Sequence, residues 1–285
     1  MAASRTAQYV AVYRALETHE FRRAPLFHDP FAERFLSSRL LWLVRAARRP
    51  LLRSVIERYA DVRAPGSRTS AIARTAYIDD AVRAARASGV DQFVILGAGF
   101  DCRAHRMPEL EGARVFELDR VETQAVKRAR LPASGVRYVA IDFLRDDAGA
   151  ALEAAGWDRA RRSLFVWEGV TNYLTERAVV GTLAWIAGAG PGTRLVFTYV
   201  HAGLLDGSIA FDAGAQLIEN VRRLGEPWTF GLHPDAVKPF LARAGLRLRE
   251  DLGADDYRRR YLGAAAMPGY RFYRVATADV AAGAG

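Results

Sequence analysis
The chain has 285 residues, 51% of them hydrophobic, and a formal net charge of +9. That apolar share excludes a disordered chain, and a single cysteine, Cys102, excludes an intrachain disulfide or a cysteine-based metal cluster. The charge raises nucleic acid as a partner. However, nearly all the basic residues are arginine and no aromatic-interleaved basic motif accompanies them, so an anionic small molecule fits as well and nucleic acid is disfavoured.

Residues 1–67 read as helices over Ala7–Glu17, Pro30–Leu36 and Leu40–Tyr59, punctuated by Pro25, Pro30, Pro50 and Pro65. The third sets Leu40, Leu41, Val44, Leu51, Leu52, Val55 and Ile56 among arginines. That amphipathic pattern is read as a face packed on the core rather than on a membrane. The segment is expected to be an N-terminal helical cap on a core of residues 68–285. Met1–Phe21 lacks the apolar centre of a signal peptide, and the longest apolar run, Ala178–Ala189, is too short to span a bilayer. A reduced, cytoplasmic setting is expected.

A helix over Arg68–Ser88 leads into Phe93-Val94-Ile95-Leu96-Gly97-Ala98-Gly99-Phe100-Asp101. A short apolar run without alternation reads as a buried parallel strand, and two glycines spaced by one read as a turn that a ligand approaches closely. Further strands are predicted at Ala113–Leu118, Val136–Ile141, Ser163–Trp167 and Thr193–Val200, with helices at Val121–Arg130, Asp146–Ala155 and Thr175–Ala187 between them. This β-α alternation predicts an α/β, Rossmann-like doubly wound sheet. The pattern then breaks over about 202–232, read as a lid with a helix at Gln216–Leu224. A helix opening at Pro234 and strands at Leu246–Glu250 and Tyr270–Ala276 complete seven strands, mostly parallel.

The ligand is read from the turn and the strand ends. A dinucleotide fingerprint needs a third glycine ahead of a phosphate-binding helix. Here none follows, and Asp101 stands where the phosphate would sit. A carboxylate there suits a cation, and S-adenosylmethionine carries a sulfonium and an ammonium but no phosphate. The first four strands end in Asp101, Glu117 or Asp119, Asp142, and Glu168. Strand ends in this architecture share one crevice. One of Glu117 and Asp119 would accept the ribose hydroxyls, Asp142 the adenine amino group beside Phe143, and Glu168 the methionyl ammonium. Arg74 would pair with the methionyl carboxylate, while Gly97, Ala98 and Gly99 give the backbone approach.

The chain resembles the leucine carboxyl methyltransferase family, in particular its bacterial branch of small-molecule O-methyltransferases. The resemblance covers most of the chain. It rests on Leu26-Phe27-His28-Asp29-Pro30-Phe31-Ala32, Ala73-Arg74-Thr75, Leu96 through Arg103, Phe116-Glu117-Leu118-Asp119, Asp142-Phe143, and Glu168-Gly169-Val170-Thr171-Asn172-Tyr173-Leu174. It implies S-adenosylmethionine held by Arg74, Gly97, Asp119, Asp142 and Glu168, with Asp119 rather than Glu117 on the ribose. It also implies a basic contact from the cap, for which Arg14 is the candidate.

Members of that family esterify carboxylates. A carboxylate is a nucleophile at neutral pH and needs no general base, so alignment and desolvation suffice. Tyr173, Tyr199 and His201 are the candidate acceptor-side residues, and no metal is expected. Three rivals remain: a phenol or enol acceptor with His201 as base, a nicotinamide-dependent oxidoreductase, and an RNA-binding methyltransferase.

Overall fold
The computed structural model describes residues 5–263 and 266–281. The N-terminal helices are α1 (Arg5–Thr18), α2 (Ser38–Ala46), α3 (Pro50–Arg63) and α4 (Ser67–Ala87). The expected helix over Leu40–Tyr59 is therefore two. Pro50 lacks an N–H and occupies the first position of α3, so the chain turns before it. Pro30–Leu36 forms only a short 3-10 turn, Ala32–Phe35.

The alternating region gives β1 (Gln92–Leu96), α5 (Arg103–Arg106), β2 (Arg114–Asp119), α6 (Val121–Arg130), β3 (Arg137–Ala140), α7 (Ala148–Ala154), β4 (Ser163–Trp167), α8 (Glu176–Ala187) and β5 (Arg194–Val200). There follow α9 (Ala202–Leu205), α10 (Gly214–Arg223), α11 (Pro234–Arg243), β6 (Leu246–Leu252), α12 (Ala254–Tyr261) and β7 (Tyr273–Val280). The described strands form one seven-stranded sheet in the order β3-β2-β1-β4-β5-β7-β6. β1 to β5 are parallel, and β7 runs antiparallel between β5 and β6.

The last strand begins at Tyr273, later than expected, because the preceding residues make other bonds. Tyr270 donates its N–H to Ser70 Oγ, and the Phe272 carbonyl accepts from His201 N. The helix α12 went unread because five of its eight residues are charged and only Ala254 and Tyr257 are buried.

One sheet face packs Leu96, Phe116, Phe165, Trp167 and Phe197 against Leu183 and Ile186 of α8 and Leu241 of α11. The other packs Phe93, Val115, Leu164 and Val196 against Tyr77, Ile78 and Val82 of α4. A third cluster joins Leu16, Phe35, Val44 and Ile72 to Phe100 of the glycine turn, where the Phe35 and Phe100 rings stack at 4.4 Å. The N-terminal helices are thereby fixed to the turn that follows β1.

Candidate active site
The strand order reverses between β1, which pairs with β2 on one side, and β4 on the other. In open α/β sheets such a switch point opens a crevice at the strands' C-terminal ends. The turn after β1 is shaped by what surrounds it. Gly97 has φ +65°, and a Cβ there would collide with Val170 Cγ2, so a side chain has no room. Gly99 has φ +46° but faces open space, with Gly97 O at 3.9 Å as its nearest neighbour. Ala98 N continues the ladder to Leu118 O at 3.0 Å.

Asp119, at the end of β2, accepts from Gly99 N at 2.5 Å through Oδ2 and from Arg120 N at 2.7 Å through Oδ1. A carboxylate has about four lone-pair sites, so each oxygen keeps one free. Glu117, the other candidate on that strand, faces inward. It is fully buried against Lys127 Nζ at 2.5 Å, and burial pushes its carboxyl up to about 7. Asp142 is half-buried and accepts from Leu144 N at 3.0 Å, with Phe143 half-buried beside it.

Glu168 stands between two arginines. Its Oε2 accepts from Arg103 Nη1 at 3.2 Å, while Oε1 lies 3.7 Å from Arg74 Nε. That separation is too long for a hydrogen bond, and both Glu168 Oε1 and Arg74 Nε are buried without a partner. The Arg74 guanidinium lies 3.9 Å from the centroid of the Tyr273 ring, a cation-π contact that fixes its plane.

Asp101 does not present a free charge. Arg103 N donates to its Oδ1 at 2.7 Å and the Arg103 guanidinium binds Oδ2. Burial pushes this carboxyl up, but Arg103, Lys127 and Arg14 prevail and hold it well below the usual carboxylate range. Its place in the sequence suggested repulsion of a phosphate. The structure shows instead a carboxylate consumed by its own loop.

Arg14 is likewise spent internally, donating from Nη2 to Phe100 O at 2.6 Å and pairing with Asp29 at 3.3 Å. Beyond Asp29 the charges alternate through Arg106, Asp79 and Arg103 to Glu168. Cys102 is buried in the same region, and burial pushes its thiol up to about 12, which makes it inert.

On the opposite side, Tyr173 meets Trp228 edge to face at 6.3 Å, and Trp228 neighbours Tyr273 at 6.2 Å. His201 accepts from Gly203 N at its Nδ1, 3.0 Å away. A backbone N–H only donates, so Nδ1 carries no proton and the neutral ring is protonated at Nε2. Burial, then His233 and Arg274, lowers the His201 pKa, so the neutral form holds at pH 7. Tyr199 is engaged within the sheet. Its side chain is fully buried, and its hydroxyl donates to Asp251 Oδ2 at 2.8 Å and accepts from Arg274 Nε at 2.8 Å.

The structure thus brings Arg74 beside Glu168 and the glycine turn, through Gly99 N, onto Asp119. It leaves Arg14, Asp101 and Tyr199 in supporting positions. Sequence reading missed Arg103, Asn172, Trp228 and Tyr273. Arg103 was visible two residues beyond Asp101, whereas Trp228 and Tyr273 come from segments without periodicity. The Asn172 amide is buried with neither atom bonded, and the Trp228 indole nitrogen is also unpartnered. The Asn172 main-chain carbonyl accepts from Thr229 N at 2.7 Å, which joins the two segments.

The chain is similar to proteins assigned as S-adenosyl-L-methionine-dependent methyltransferases. It is 38% identical to one from Streptomyces avermitilis over 70% of either chain. It is also 38% identical to one from Streptomyces coelicolor over 74% of this chain and 72% of that one. Among solved structures, a protein assigned as a methyltransferase from Thermobifida fusca superposes with a TM-score of 0.60 at 19% identity, over 96% of this chain and 94% of that one. That last likeness concerns the fold. With the sheet order, these relations place the chain among the S-adenosylmethionine-dependent methyltransferases of Rossmann-like fold. A family model described as leucine carboxyl methyltransferase matches residues 7–187, and the chain belongs to that family.

Proposed function
We propose that the chain transfers a methyl group to the carboxylate oxygen of a small aromatic or polyketide-like acid, as in natural-product biosynthesis. The observation that carries the choice of acceptor is the hydrogen bond from Gly203 N to His201 Nδ1. With Nδ1 engaged by Gly203 N, the ring offers an N–H and no lone pair. A phenol acceptor needs a base, whereas a carboxylate needs only donors to hold it. The unpartnered Asn172 amide and Trp228 N–H are further donors that an oxygen acid would satisfy.

The residues present fit S-adenosylmethionine. Arg74 Nε and Glu168 Oε1 are opposite charges left unbonded in a buried position, as expected of groups that bind a carboxylate and an ammonium. Asp119 would accept the ribose hydroxyls, and Asp142 with Phe143 would meet the adenine. Gly97, Ala98 and Gly99 provide the backbone approach. When bound, the cofactor supplies an electrophilic methyl whose carbon–sulfur bond breaks, with its electron pair going to sulfur, as the acceptor's carbon–oxygen bond forms. Arg103 orients Glu168, and Asp101 and Asp79 hold Arg103. Tyr173 and Trp228 offer an aromatic wall, and residues 202–232 act as the lid over the acceptor. Tyr199 has a structural role, tying β5 to β6 and β7.

The test supplies the purified chain with S-adenosylmethionine and a matched set of aryl carboxylic acids and phenols, and measures S-adenosylhomocysteine release. Ester formation, with His201→Ala changing the rate only a few-fold, is the expected result. Methylation of phenols alone, abolished by His201→Ala, would overturn this choice of acceptor.

A further inference from the structure
The helix α3 is turned inside out. It buries two charged residues, Arg53 and Glu57, at 1% and 5% exposure. It exposes Leu51 at 87%, Val62 at 72%, Val55 at 66%, Tyr59 at 57% and Leu52 at 42%. At about 100° per residue these five side chains fall within an arc of about 100° on one helix face. Arg58 and Arg63 stand at the two edges of that arc. Both are exposed, and neither has an ion-pair partner among the described residues; Arg63 only lies over the Tyr59 ring. The acidic residues of α3 are on the far side, where Glu57 binds Arg53 and Asp61 binds Arg68. Exposed Arg49 sits at the helix start, and Trp42 of the neighbouring α2 is 67% exposed.

We propose that this face docks on an anionic lipid surface, with α3 lying in the plane of the interface. Leucine and valine enter the acyl boundary of such a helix, tyrosine and tryptophan sit at headgroup depth, and arginines meet lipid phosphates. The charge on the rim has one sign, which opposes pairing with a second copy, because a two-fold interface would set arginine against arginine. The area is also too small for a dimer. A 14-residue helix is about 21 Å long, so its face covers far less than the roughly 800 Å² per partner of a stable complex. No described helix is long and apolar enough to cross a membrane, so the attachment is peripheral.

The test is flotation of the full chain with vesicles of phosphatidylcholine alone or mixed equally with phosphatidylglycerol. The protein should float with the anionic vesicles, less so as salt rises, and not with the neutral ones. Leu51→Glu with Val55→Glu should weaken binding by more than about tenfold, and Arg58→Gln by about fivefold. All three positions are exposed, so melting temperatures should match the wild type; should the double variant melt early, Val62→Glu replaces it. Absence of flotation, equal binding to neutral vesicles, or binding unchanged in these variants would overturn the proposal. So would a dimer in solution that the double variant dissolves, since the face would then belong to a second copy.

Discussion

Adjacent helices α3 and α4 solve opposite problems with similar residues. α4 buries Ile72, Ala76, Tyr77 and Ile78 and carries Arg74 to the strand ends. α3 buries Arg53 and Glu57 and turns its leucines and valines outward. The difference lies in the partners that await each face. Arg53 donates to Glu57 Oε1 at 2.8 Å, His19 O at 2.8 Å, Leu16 O at 3.0 Å and Glu20 Oε2 at 3.0 Å. Four donations satisfy nearly all of a guanidinium, and such a group tolerates burial. Periodicity shows that a helix has two unlike faces. The complement of the neighbouring chain decides which one turns inward.

The contrast is testable, and the largest effect is expected on α4. Arg74→Met should lower kcat/KM by about 30-fold to several thousand-fold, the loss expected when one member of a buried charge pair is removed. Calorimetry should show weaker S-adenosylmethionine binding in parallel; a variant that binds normally would separate α4 from the site. Next comes Arg53→Met on α3, which leaves Glu57 and Glu20 with Arg22 as partner, takes the donor from the His19 and Leu16 carbonyls, and should cost about 3 kcal/mol in urea unfolding. Ile78→Ala on α4, which hollows a fully buried position, should cost about 2–5 kcal/mol. Equal costs for a charged and an apolar residue would confirm that each helix buries its own chemistry. Leu51→Ala on α3 should change stability by no more than about 0.5 kcal/mol. A large loss there would mean that the outward face is covered in solution.

Acid titration sharpens the same point. Burial pushes Glu20 up, but hydrogen bonds from Arg22 and the charge of Arg53 prevail and lower it from 4.5 to about 2. An acid depressed in the folded state contributes stability that is fully present above its unfolded pKa. That contribution should be lost as pH falls from about 4.5 towards about 2. Arg53→Met should flatten this slope in pH-dependent unfolding; an unchanged slope would remove Arg53 from the cause.

The sheet was legible because parallel strands buried on both faces leave short apolar runs, unbroken in β1 and β4 and interrupted only by Glu117 in β2 and Thr198 in β5. The acidic strand ends were legible because topology aligns them whatever the loops do. Asp101 and Arg14 were placed near the crevice, but their charges were read as free because pairing to Arg103 and Asp29 needs three dimensions. Tyr199 was read as an acceptor-side donor for its hydroxyl. The two-residue alternation of β5 instead sends it to the face of Phe197, where Asp251 and Arg274 hold its hydroxyl. Trp228 and Tyr273 carried no local signal, since contacts distant in sequence define them.

The alternating charges that begin at Arg14 bear on how the protein tolerates trimming. The first helix donates to Phe100 O and neutralises Asp29, which otherwise faces Arg106 alone. A shortened chain lacking only α1 would strip the glycine turn of its clasp and remove one of the two guanidiniums beside the buried Asp29. Anyone seeking a minimal catalytic fragment should therefore expect the N-terminal helix to be as hard to discard as a strand.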